Sequence, residues 1–189
     1  KGILPVAVAT AMFGAGVAQA VTIGEGGPES VTVSTNVTAN YWVSNNGTLV
    51  INNNGGQMQS FYGTIDGSNL STSTNGSRAD SARGNVTITA ANGLTLYGDV
   101  GATNGTGNMT LEAGSTLYLA DNMTTFRTSN LTIGTGSTVY TGNNASQGYN
   151  RASGDALTMT SNITMRGSST LNVGNGTTIT GNIFGDSDG

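Results

Sequence analysis

The chain has 189 residues, of which 35% are apolar and only 8% charged, with 30 glycines and 2 prolines. Its 6 basic and 10 acidic side chains give a net charge of -4, too little positive charge for nucleic-acid binding. The chain has no His and no Cys, which excludes His-based triads, thiol catalysis, N- or S-ligated zinc, haem ligation and disulfides together. No cofactor is expected.

Residues 1–20 differ from the rest: Lys1, an apolar run from Ile3 to Val17, then Ala18-Gln19-Ala20. A positive end, a short apolar core and small residues at the -3 and -1 positions are the pattern of a Sec signal peptide cleaved after Ala20. The alternative, a buried helix, is weakened by Gly2, Pro5, Gly14 and Gly16. The run falls short of the ~20 apolar residues of a membrane span, and none is expected in this fragment. Because the chain starts with Lys, it reads as a fragment of a longer protein, with the mature part starting at Val21.

From residue 21 to 84 the pattern is irregular. Val31–Val33, Val37–Ala39, Tyr41–Val43 and Leu49–Ile51 read as strands, and Asn46-Gly47 and Asn53 to Gly56 read as turns. Gly67 to Gly84 is rich in Ser, Asn and Gly and reads as an excursion.

Residues 85 to 189 repeat. Asn85 opens NVTITAANGLTLYG, Asn108 opens NMTLEAGSTLYLA, Asn130 opens NLTIGTGSTVYTG, Asn162 opens NITMRGSSTLNVG, and Asn182 begins a further unit. The period is near 22 residues, lengthened by roughly ten between Asn130 and Asn162, where residues 143 to 155 read as an inserted loop. Short alternating runs at this period indicate a coil of strands and turns. In the unit from Asn108 the runs are Met109–Leu111, Thr116–Leu119 and Met123–Phe126, separated by Gly114 and by Asp121-Asn122. The expected fold is all-β: a three-sided parallel β-solenoid, one domain over 21–189 behind the signal peptide.

Alternation along each strand predicts an inward column of Val86/Ile88, Met109/Leu111, Leu131/Ile133 and Ile163/Met165. A second column of Leu96, Leu117, Val139 and Leu171 is expected, with outward rows Thr87, Thr110, Thr132, Thr164 and Thr95, Thr116, Thr138, Thr170. Asn85, Asn108, Asn130 and Asn162 should form an amide ladder between coils.

The export signal, the Asn-apolar-Thr-apolar coils and the Gly-Ser-Thr turns together resemble the passenger region of bacterial autotransporters, and more loosely the exoproteins of two-partner secretion. The resemblance covers about residues 21 to 189. It implies a right-handed β-helix displayed at the outer-membrane surface or shed outside the cell, acting in adhesion or aggregation. Partners would be host-cell glycans or proteins, or further copies of the chain. A membrane β-barrel is then expected beyond Gly189.

Candidate chemistry is sparse. The carboxylates Glu25, Glu29, Asp66, Asp80, Asp99, Glu112, Asp121, Asp155, Asp186 and Asp188 do not recur at one template position. Glycoside hydrolysis needs two of them about 5 to 9.5 Å apart on one face. Asp186-Ser-Asp188-Gly189 has only the opening spacing of a calcium loop and reads as a solvated turn. Asn-x-Ser/Thr triplets such as Asn36, Asn85, Asn108 and Asn130 follow from the strand template rather than from glycosylation. Tyr97, Tyr118 and Tyr140 are expected to share one template position as an exposed aromatic row, either packed on one another or open to sugars. The leading reading is a non-enzymatic surface adhesin or scaffold. The alternative is a polysaccharide-processing β-helix enzyme, a lyase or glycoside hydrolase, which the lack of His and of Lys after Lys1 disfavours.

Overall fold

The structure, a computed structural model, describes residues 21–24, 30–34, 36–44, 47–53, 55–67, 83–142 and 155–186. The expected signal peptide at 1–20 and most of the two expected loops, residues 68–82 and 143–154, lie outside the described residues.

Among the described residues sixteen short strands follow one another: β1 (Val21–Ile23), β2 (Ser30–Val33), β3 (Tyr41–Val43), β4 (Thr48–Asn52), β5 (Gln59–Phe61), β6 (Ile65–Gly67), β7 (Asn85–Thr89) and β8 (Leu94–Leu96) come first. Then come β9 (Thr106–Leu111), β10 (Thr116–Leu119), β11 (Thr125–Ile133), β12 (Thr138–Tyr140), β13 (Leu157–Arg166), β14 (Thr170–Asn172), β15 (Thr177–Thr180) and β16 (Ile183–Asp186). They form three sheets in the orders β1-β3-β6, β14-β12-β10-β8-β5 and β15-β13-β11-β9-β7-β4-β2, with β16 also paired to β13. Consecutive strands do not pair within a sheet; each pairs in parallel with its equivalent one repeat away, as in Val86↔Met109 and Leu131↔Ile163. Parallel neighbours need a crossover of a dozen or more residues, and here strands of the other sheets supply it. The chain is thus all-β and solenoid-like.

Alternation fixes which side chains face inward. In β7 and β4 buried and part-buried residues strictly alternate, and register stacks the buried ones in columns. One column runs Leu49, Val86, Met109, Leu131, Ile163; beside it run Ile51, Ile88, Leu111, Ile133, Met165. Apart from the part-buried Met165, these are at most 1% exposed. A further row runs Val21, Tyr41, Ile65, Val100, Phe126, Met159, Ile179, its middle linked by single bridges at Val100. β11 and β13 contribute to two of these faces because each continues round a corner, with a register break between Arg127 and Asn130.

The corners are closed by short-range and coil-to-coil bonds. Tight turns bond Gly93 N–H to Ala90 O, Ser115 N–H to Glu112 O and Ser137 N–H to Gly134 O, at 3.0, 3.2 and 3.0 Å. Gly136, at the third position of its turn, has φ +68, which a Cβ would strain. The expected amide ladder is present in part, over Asn85, Asn108 and Asn130: Asn130 Nδ2 donates to Asn108 Oδ1 (2.8 Å), and Asn108 N–H to Asn85 Oδ1 (3.1 Å). Asn182 N–H donates to Asn162 Oδ1 at 3.2 Å. A second, buried ladder of hydroxyls was not anticipated: Ser137 Oγ accepts from Ser115 N–H and donates to Glu112 O, at 3.1 and 2.7 Å.

One expected column is displaced by two residues at one end. The register is Leu94↔Leu117↔Val139↔Leu171, and Leu96 lies opposite Leu119. Thr116, Thr138 and Thr170 align as expected, whereas Thr95 lies opposite Tyr118. The reason is a constant length from the ladder Asn to the second strand. The turn from Ala90 starts one residue later than its counterparts and ends directly at Leu94, so the repeats align without a gap.

Candidate functional site

The aromatic residues sort into two pairs instead of one row. Tyr118 and Tyr140 occupy adjacent register positions, with ring centroids 5.0 Å apart and planes within 6°. Tyr97 stands two residues further along its strand and stacks on Tyr62 at 4.7 Å and 17°. The expected common position of Tyr97 with Tyr118 and Tyr140 is therefore corrected, for the gapless register already given. Exposure differs as well. Tyr118 is only 8% exposed, Tyr97 and Tyr140 are part-buried, and Tyr62, at 51%, is the most open of the four. Tyr41, a fifth, is a core residue tilted on Phe61 (5.6 Å), and burial raises its phenol pKa above the ordinary 10.0.

Tyr118 is held from below. In register it lies over Thr95, whose hydroxyl is 3.7 Å from Met58 Sδ, and its ring edge lies beside Gly93. Tyr140 stacks on Tyr118, and the next residue in that register is Asn172. Beside Tyr140 opens a cavity of about 230 Å³, lined by Tyr140, Gly142, Asn172, Val173, Gly174 and Asn175. Its floor is bare backbone: a Cβ on Gly174 would sit 2.1 Å from Gly142 O. That floor is braced by Thr141, fully buried, whose Oγ1 accepts from Gly174 N–H at 3.0 Å and lies 2.9 Å from Thr177 Oγ1. Among the described residues no charged side chain lines the cavity, and the side-chain amides of the exposed Asn172 and Asn175 have no hydrogen-bond partner. Sequence reading missed Tyr62 and the Asn172/Asn175 cavity, because both depend on which coil lies above which.

Three of the carboxylates, Asp66, Asp99 and Asp186, have structural work. Asp99 Oδ1 accepts from the N–H groups of Thr124 (2.8 Å) and Thr125 (3.0 Å), and its Oδ2 from the Thr124 hydroxyl (3.0 Å). Two repeats earlier the same corner is held by Asn40 Oδ1, which accepts from Thr64 N–H at 2.9 Å. Asp99 is thus the counterpart of a neutral corner residue. Asp66, 6% exposed, accepts from Thr103 N–H at 2.9 Å, and Asp186 lies 3.7 Å from Arg166 Nε with both side chains open to solvent. Arg127 is likewise engaged, donating through Nη2 to Thr103 O at 2.7 Å. Glu25, Glu29, Asp80 and Asp188 lie outside the described residues. Among the described residues no three acidic side chains come together as a metal site, and no helix is long and apolar enough to cross a membrane.

Comparison with family models, with curated proteins and with solved structures finds no match to this chain.

Proposed function

We propose that the chain is a segment of an exported, right-handed, three-sided β-helix of the autotransporter-passenger type, displayed at the outer-membrane surface or released outside the cell as a non-enzymatic adhesin or scaffold. The observation that carries this reading is the disposition of the outward side chains. Rows of Thr and Asn run along a rigid stack of coils, while Asp99 and Asp66 are bound to backbone amides. A rigid framework with short uncharged side chains and a few aromatic steps suits contact with an extended surface better than proton transfer at one point.

The test is to couple residues 21–189 to beads and score attachment to mammalian cells and to immobilised glycans, alongside a reducing-sugar assay on a panel of polysaccharides. The reading expects attachment that survives Asp99→Asn and Asp121→Asn with no sugar released. Sugar release that one Asp→Asn change abolishes would replace it with the enzyme reading.

A further inference from the structure

We infer that the cavity beside Tyr140 is a binding subsite for a single neutral sugar unit of a glycan. The inference deepens the adhesive reading, and rests on it for its biological use, by naming a ligand class and a place.

The geometry of the tyrosine pair comes first. The two rings are nearly parallel and stacked between adjacent coils, so Tyr118 covers one face of Tyr140. The other face is turned toward the next coil. That coil offers Asn172 in register, and the cavity lies there. Tyr140 is thus an aromatic platform fixed by the ring beneath it, and ordering it for a ligand has little entropic cost. Tyr118 is fixed in turn by Thr95, Met58 and Gly93.

The chemistry of the lining then selects the ligand. One aromatic face accepts an apolar C–H surface. The two Asn side chains together offer four N–H donors and two carbonyl acceptors, none of them used within the described chain. Both Asn side chains are exposed to solvent in the free chain, and a purely apolar ligand would displace that water without replacing its hydrogen bonds, which is unfavourable. A charged ligand finds no counter-charge in the lining among the described residues. A pyranose matches all three features, having a C–H face, hydroxyls that both donate and accept, and no charge. The cavity of about 230 Å³ falls below the roughly 300 Å³ at which drug-sized pockets begin, which fits one ring rather than an extended chain. Gly142 and Gly174, both in its lining, are packed backbone to backbone.

The experiment uses the full chain, isotopically labelled, titrated with the methyl glycosides of galactose, glucose, mannose and N-acetylglucosamine, and separately with N-acetylneuraminic acid. At least one neutral glycoside is expected to move the side-chain amide signals of Asn172 and Asn175 and the backbone signals of Gly142 and Gly174. Tyr140→Leu, which keeps an apolar side chain on Tyr118, and the double variant Asn172→Ala/Asn175→Ala should each weaken that binding about tenfold. Tyr62→Leu, at the other stacked pair, should leave it unchanged, and unaltered spectra elsewhere in each variant certify the fold. No response to any neutral glycoside, a response centred on Tyr62 and Tyr97, or tighter binding of the anionic sugar would each overturn the subsite. Bead attachment separates the two claims. Attachment that persists undiminished in both cavity variants refutes the subsite and leaves the adhesive reading standing. Wild-type beads that fail to attach, with the glycoside response intact, refute the adhesive reading instead.

Discussion

Replacing Leu117 and then its neighbour Thr116 tests the inward and outward alternation at one point in the chain. Leu117 is fully buried between Leu94 and Val139, which are themselves at most 1% exposed, and Thr116 points to the other side of the same strand, part-buried opposite Thr138. Leu117→Ala removes core contacts that the neighbouring coils cannot fill, at a cost of about 2–5 kcal/mol. For a chain of this length that lowers Tm by roughly 2–4 °C per kcal/mol. Leu117→Asp costs more, because the new carboxylate has neither water nor a partner there. Thr116→Asp keeps its charge in solvent and should change stability by about 0.5 kcal/mol or less. Urea unfolding followed by far-ultraviolet circular dichroism measures all three. Equal losses for Leu117→Asp and Thr116→Asp, or a tolerated Leu117→Asp, would refute the alternation.

Gly98→Ala would place its Cβ 2.0 Å from Gly63 O, whereas Gly56→Ala meets nothing within 4 Å; the first should destabilise by about 1–3 kcal/mol or more in the same unfolding assay and the second should be neutral. Asp99→Ala leaves the Thr124 and Thr125 amides without their acceptor, an expected loss of about 1–3 kcal/mol, and Asp99→Asn should recover most of it, as Asn40 serves at the corresponding corner. Asn130→Ala deletes the 2.8 Å bond to Asn108 and should lower stability by about 0.5–1.5 kcal/mol. Burial raises the Tyr41 pKa above 10.0, so the unfolded chain releases this proton first; the stability tied to it is intact below that value and falls as pH rises past it. Tyr41→Phe should make the alkaline loss shallower in urea midpoints taken between neutral and strongly alkaline pH.

The stacked columns around Val86, Met109, Leu131 and Ile163 are legible because the Asn-apolar-Thr-apolar motif recurs in each unit, and a parallel register carries that identity from coil to coil. The error at Leu96 has a local origin. Matching Tyr97 to Tyr118 aligned like with like, but backbone length sets register, and the distance from Asn85 to Leu94 equals that from Asn108 to Leu117. In the first third, β1, β5 and β6 carry weak signals: Gln59–Phe61 and Ile65–Gly67 are too short for alternation to show, and only burial of Phe61 and Ile65 reveals their place. The cavity at Tyr140 was out of reach of sequence alone, since Gly142 and Asn172 are joined by coil stacking and not by any spacing along the chain. The buried Ser115–Ser137 ladder has a visible cue in the Ser that closes both turns, yet its inward direction follows from the turn geometry.

The central claim is that equivalent strands of successive repeats lie side by side in a gapless parallel register, and paired cysteines read it directly. The chain has no Cys, so each engineered pair reports without background. Thr116→Cys/Thr138→Cys and Thr110→Cys/Thr132→Cys join register partners on neighbouring strands, within the roughly 4.4–6.8 Å Cα separation a disulfide spans. Thr95→Cys/Thr116→Cys is the pair that a two-residue shift would bring together, whereas here Thr95 lies opposite Tyr118. Mild oxidation, followed by mass spectrometry of tryptic peptides, should show intramolecular cross-links in the first two pairs and little in the third. Efficient cross-linking of Thr95→Cys/Thr116→Cys with none in the register pairs would contradict the stacked arrangement.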